Sequence, residues 1–234
     1  MKFSRGLAAL ILTLFFHTAL TAEYLYKDEL ILNPKFNAEV EKLGSELHDK
    51  TGISLRLLML KELPHGTNIV EYEKELLKEF SEPTILLTFS ELDSQVDILA
   101  NDASLYEYFN KKQVLSPVAS PVQAFIMAVL YSKSFEGFKE MVTDADGTIL
   151  PLLAGKAKEG EILGKYSGAM FNGYTDIAEQ IATSKKIVLE NAAGNANKNS
   201  ILLVKVLFYG FIIYALFIYF KRRMYAKRQK IEEK

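Results

Sequence analysis

No cysteine occurs in the 234 residues, and histidine is nearly absent, with three in all. Without cysteine there can be no disulfide, no thiolate zinc site, no thiol nucleophile and no lipoprotein-type acyl anchor. Such a chain is at ease in an oxidising compartment. One histidine, His17, lies in the N-terminal apolar segment, which leaves His48 and His65. Two histidines are too few for a transition-metal centre. A Ser-His-Asp arrangement would have to recruit one of them, the first late in a helix and the second in a Pro-Gly loop. Also missing are a G-x-S-x-G elbow, an H-E-x-x-H helix and a phosphate-cradling glycine loop.

Charge of one sign is scarce locally rather than globally. The formal net charge is −1, but residues 23–200 carry 18 Lys plus Arg against 27 Asp plus Glu. The last fourteen residues, 221–234, carry seven basic and two acidic side chains. An acidic body argues against nucleic acid as a partner. The basic tail suits anionic lipid headgroups, and it is equally a topology signal.

Long apolar runs are few, and two of them set the organisation. The stretch 201–220, from Ile201 to Phe220, has Lys205 as its one charge. At 1.5 Å per helical residue it measures about 30 Å, one bilayer core. Lys221, Arg222 and Arg223 follow directly, which marks that end as cytoplasmic. At the other terminus, Lys2 and Arg5 precede an apolar run over 7–16, and Thr21 and Ala22 offer a small-residue cleavage point. This reads as an export signal, cleaved near Ala22 or retained as an anchor. The expected organisation is a signal peptide over 1–22, an extracytoplasmic domain over 23–190 and a polar linker over 191–200. A single membrane span over 201–220 and a basic cytoplasmic tail over 221–234 follow. In a cell with an outer membrane the domain would face the periplasm from the inner membrane.

Within the domain, an extended lead-in over 23–32 precedes a helix capped by Asn33 with Pro34 at its first position. Phe36, Val40, Leu43 and Leu47 recur on one face, and Gly52 ends the helix. Residues 53–60 form a buried strand. A second helix over 68–80 presents Ile69, Tyr72, Leu76 and Phe80. Strands over 84–89 and 95–100 are spaced for an antiparallel hairpin. Apolar strands alternating with helices predict an α/β class, a small central sheet covered by helices. Leu105, Tyr106 and Phe109 make a short amphipathic segment. Residues 122–131 are apolar nearly all round but too short to cross a bilayer. They form either a core helix or an exposed docking surface for a membrane partner. A further helix runs over 135–142, and a long one spans 166–189.

Asp144-Ala145-Asp146-Gly147-Thr148 spells a phosphatase nucleophile motif. It follows a helix end rather than a buried strand, so it reads as a turn or helix cap. As a calcium loop it fails as well, with Ile149 and Gly155 at the sixth and twelfth positions. The better candidates for a hard cation are Asp28, Asp93, Asp97 and Asp102, set against a plain acidic surface.

The order of these features resembles the TPM domain family. The acidic lead-in at Asp28, the helix running into Lys50-Thr51-Gly52-Ile53, the TILLTF strand, its hairpin partner, the long closing helix and the anchor carry the resemblance. It covers roughly 23–189, and the segment 102–148 is longer than the family pattern. The resemblance implies an α/β sandwich that is exported and tethered by a C-terminal helix. It implies two activities. One is an accessory role, docking on or stabilising a membrane assembly by contact with an integral membrane protein. The other is acid phosphatase chemistry assisted by Ca²⁺, with Asp28 as the aligned acid.

Overall fold

The computed structural model describes residues 23–158, 160–192 and 207–223. The expected signal over 1–22, the linker from residue 193, Ile201 and the tail from residue 224 lie outside the described residues. The chain divides into two compact units, one ending at Asn191 and the other beginning at Ala192.

The first unit is α/β and is built around a four-stranded sheet in the order β1-β2-β3-β4. The strands are β1 (Leu25–Asp28), β2 (Ser54–Leu60), β3 (Thr84–Ser90) and β4 (Gln95–Ala100). β1, β2 and β3 run parallel, and β4 closes an antiparallel hairpin with β3. Every residue of β2 and of β3 is buried. Continuous apolar strands of this kind need cover on both faces.

Helix α1 (Pro34–Thr51) covers one face. Asn33 Oδ1 accepts from the amide of Lys35, and Pro34 occupies the first turn. Gly52 ends the helix at φ +72°, where its amide donates to the His48 carbonyl, a left-handed geometry that costs a side chain and not glycine. Helix α2 (Ile69–Leu77) covers the other face, opened by a reciprocal cap between Asn68 and Glu71. It packs Ile69 and Leu77 on Leu58, Leu60 and Leu86. The expected continuation to Phe80 is a tightened last turn of three-residue hydrogen bonds. Because β1, β2 and β3 are neighbours in that order while α1 and α2 lie on opposite faces, the two crossovers have opposite hands. One of them departs from the usual right-handed preference.

After β4 come a 3₁₀ turn (Ala103–Glu107), α3 (Lys111–Val114), α4 (Pro121–Tyr131), α5 (Phe135–Thr143), α6 (Leu150–Leu153) and α7 (Ile162–Ser184). Helix α7 lies beside α1. Its Tyr174 hydroxyl donates to the Leu55 carbonyl at 2.8 Å, and Tyr166 stacks on Phe89. The sequence expectation for α7 is displaced: it begins a turn earlier and stops at Ser184 rather than near Leu189. The stop is a left-handed residue, Lys186 at φ +58°, with the Ile187 amide reaching back to the Ala182 carbonyl. The lead-in is also more than a lead-in, since β1 is an edge strand of the sheet.

In the second unit residues 207–223 are helical and exposed, with Lys221, Arg222 and Arg223 at the end. Among the described residues no helix is long and apolar enough to cross a membrane. The expected span over 201–220 is described from residue 207 onward.

Glu46 on α1 fastens the end of the first unit. Its carboxylate accepts from Lys50 Nζ and the Glu190 amide, both at 2.6 Å, and from the Asn191 amide and side chain, both at 2.8 Å. Burial raises its pKa, but the Lys50 ammonium and the two amides outweigh burial and hold it at about 2. An unfolded glutamate ionises near 4.5. The clasp therefore stabilises the fold fully above that value and loses its contribution as pH falls toward 2. Glu46→Gln is expected to cost roughly 1–2 kcal/mol at pH 7 and to lower Tm by a few degrees. The gap from the parent should close as pH drops below 4, measured by thermal unfolding across pH.

Candidate functional site

The four aspartates singled out from the sequence do not share a site. Asp28 ends β1, and its carboxylate accepts from the amides of Leu30, Ile31 and Leu32 at 2.8–3.1 Å. Asp93 sits in the β3–β4 turn and is held by the Ser90 hydroxyl and the Leu63 amide, which lower its pKa in that order. Asp102 caps the 3₁₀ turn through the Ser104 amide, at the far end of β4 from Asp93. Asp97 faces the helix side of β4. Three strand spacings, about 14 Å of sheet, separate β1 from β4. Three of the four thus serve their own turns, and a calcium site built from the set is not assembled. Among the described residues no three His, Asp or Glu side chains come together as metal ligands.

The Asp144–Thr148 motif is a helix end and a turn. Asp144 is the C-cap of α5 and accepts from Asn110 Nδ2 at 3.0 Å. Asp146 has φ +73°, and the Asp146 and Gly147 amides both donate to the Val118 carbonyl. A β-carbon on Gly147 would collide with the Ser116 carbonyl oxygen, so this close backbone approach requires glycine. The Thr148 hydroxyl and Gln113 Nε2 both donate to Asp176 on α7. The motif therefore fastens a loop to a helix.

A carboxyl pair unread in the sequence lies beneath α2. Thr88 and Asp97 are direct partners across β3 and β4, so their side chains share one face. Glu73 descends on them from α2 and is fully buried. Both Glu73 carboxyl oxygens, Thr88 Oγ1 and Asp97 Oδ2 are buried without a hydrogen bond of good geometry, though they are close enough to couple electrostatically. Lys111 Nζ lies 2.6 Å from Asp97 Oδ1, so the lysine is paired with that carboxyl and not with Glu73. Burial first, and then the Asp97 charge, push the Glu73 pKa up to about 8, against the opposing pull of Thr88 and Lys111. One proton held by the pair removes the repulsion between two adjacent carboxylates. Lys111 also lines an open cleft of about 550 Å³ with Tyr106, Tyr108, Lys112, Gln180 and Ser184. Glu73 itself is sealed from that cleft and reads as a packing element, not a catalytic acid.

The feature without a role inside the domain is the α4–α5 hairpin. It leaves the body after Val118, and the two amides donated to the Val118 carbonyl close its base. Ser120 caps α4 and Ser134 caps α5. The two helices pack mainly on each other, with Phe125 edge-on to Phe138 at 5.7 Å. In α4 the buried side chains are Ala124 and Ala128, while Phe125, Ile126, Val129, Leu130 and Tyr131 are exposed. Phe135 at the tip is 84% exposed and Leu130 is 66% exposed. Of the two expectations for 122–131, the core helix is therefore overturned: the small residues face inward and the large ones outward. An uncharged eleven-residue helix presented this way is an exposed apolar face, the kind of feature that marks interaction sites on proteins.

The Glu73 pair makes a stability prediction. A carboxyl whose folded pKa exceeds its unfolded value of 4.5 supports the fold fully below 4.5 and loses that support as pH rises through 8. Glu73→Gln should equal the parent near pH 4.5 and exceed it in Tm at pH 8–9, flattening the alkaline slope measured by thermal unfolding. Comparison of the chain with protein-family models, with curated proteins and with solved structures found no match.

Proposed function

We propose that this chain is an exported accessory protein of the cell (inner) membrane, whose TPM-like α/β domain docks on an assembly in that membrane and stabilises it. In this reading residues 1–22 direct export and residues 201–220 anchor the chain by a single pass. The domain lies on the periplasmic side, and the tail from Lys221 lies in the cytoplasm. The observation that carries the reading is the exposed α4–α5 hairpin, an apolar element that the domain's own body leaves uncovered. A protein held beside a membrane meets there the apolar surroundings that such an element needs. The basic tail after residue 220 and the export-like segment over 1–22 agree with that orientation.

Photo-reactive residues at Gln123 and Lys139, on the rim of the hairpin, test the docking in native membranes. Mass spectrometry should identify one recurrent integral membrane protein, and Phe125→Ser with Leu130→Ser should reduce its capture severalfold. Capture no greater than that from a probe at Leu92, on the β3–β4 turn, would sink the docking role. For topology, protease added to spheroplasts should remove the domain and spare an epitope placed after Lys234. Protection of the domain until the membrane is broken would reverse the orientation.

A further inference from the structure

We infer that the α4–α5 hairpin is seated in the lipid of the outer-facing interface of the membrane that anchors the chain, so that acyl chains cover the apolar arc of α4 and the docking partner is met beside it, at the hairpin's polar positions. The inference rests on the membrane-anchored reading above and names what the hairpin touches.

Three observations carry it. The first is angular. At 100° per residue, the exposed apolar side chains of α4 from Val122 to Tyr131 spread over about two thirds of the helix circumference, interrupted by the exposed Gln123 in the first turn, and Ala124 and Ala128 occupy the rest. A protein groove reads one stripe of a helix, at i, i+3, i+4 and i+7. Apolar side chains on nearly all free sides match a medium that is the same in every direction. The second is length. Eleven residues reach about 16 Å, half a bilayer core, so α4 can enter one leaflet and cannot cross. Lying in the interface plane, it keeps Tyr131 and Lys133, at its C-terminal end, at headgroup level, where such residue types settle. The third is reach. Between the end of the described domain at Ala192 and the expected span lie residues 193–200. Even fully extended they bridge about 28 Å, less than the diameter of roughly 40 Å of a domain this size. That is the longest tether the sequence allows between Ala192 and the expected span.

Charge decides which lipid. The hairpin carries Lys133 and Lys139 against Glu136 and Glu140, a net of zero. Insertion is therefore driven by apolar area and needs no anionic lipid, unlike the basic interfacial helices that depend on it.

The absence of cysteine makes the test clean, because one introduced cysteine is the sole thiol. The full chain is reconstituted into phosphatidylcholine vesicles with a nitroxide label at Leu130→Cys, at Phe135→Cys or, as an aqueous reference, at Leu92→Cys. All three positions are exposed, and thermal unfolding verifies that each variant folds. The ratio of oxygen to nickel-chelate collision rates should be severalfold higher at 130 and 135 than at 92, and unchanged by salt. Equal ratios at all three sites overturn insertion. Equal ratios in vesicles with immobilisation of the 130 label in native membranes also overturn it, and leave docking on a protein standing. Spin–spin broadening at 130 that vanishes on dilution with unlabelled chain assigns the surface to a second copy and overturns insertion as well. A chain that alkaline carbonate strips from the vesicles fails the anchored reading, and insertion fails with it.

Discussion

Burial of β2 and β3 on both faces is the constraint from which the rest of the domain follows. Two strands of seven residues with no exposed position cannot stand at a surface. Their backbone polar groups are satisfied by neighbouring strands, and their side chains by helices above and below. β1 and β4 supply the neighbours, α2 covers one face, and α1 with α7 covers the other. The opposite hands of the two crossovers are the topological consequence of covering both faces with two consecutive connections.

That enclosure also dictates how the polar residues of the α2 face survive. Arg56, in the middle of β2, is 5% exposed, yet its guanidinium donates to the Glu23 carbonyl and to Glu82 at 2.6 Å and lies over the Phe80 ring. The charge is paired and its flat face is covered, the two conditions under which a buried arginine is tolerated. Glu73 and Asp97 meet the same demand differently: one carboxyl takes a lysine and the other keeps its proton. Both devices keep polar side chains inside the sheet's α2 side, one reaching Glu23 and Glu82 at the strand ends and the other beneath α2.

The hairpin obeys the opposite rule. Its base is fastened by the Val118 carbonyl and by the turn at Asp146 and Gly147, and that turn is in turn held by Asp176 and Gln113. A network of polar contacts therefore anchors an element whose first helix, α4, exposes mostly apolar side chains. The hydrogen bonds at the base and the exposed apolar side chains above it are thus segregated within one element.

Local chemistry made much of the fold legible. Asn33 with Pro34, Gly52 and Asn68 mark helix ends through side chains and backbone freedom that act within a few residues, and the elements appear where these marks put them. The strands over 53–60 and 84–89 were readable because continuous apolar runs report burial directly, and the strand over 95–100 because its spacing from 84–89 suits a hairpin. What the sequence could not determine depends on distance along the chain. Glu73 reads as the polar side of an amphipathic helix, and its burial exists because Thr88 and Asp97, from a hairpin formed later in the chain, come beneath it. The visible trace was an aspartate inside a strand. Asp28, Asp93 and Asp102 look like ligands in composition, but Asp28 and Asp102 are used by amides of their own turns and Asp93 by the Ser90 hydroxyl and the Leu63 amide, a choice made by backbone geometry. The apolar run over 122–131 has the composition of a core and the position of a surface. Composition measures the wish of a helix to leave water, and tertiary structure alone decides whether the same chain provides the place to go.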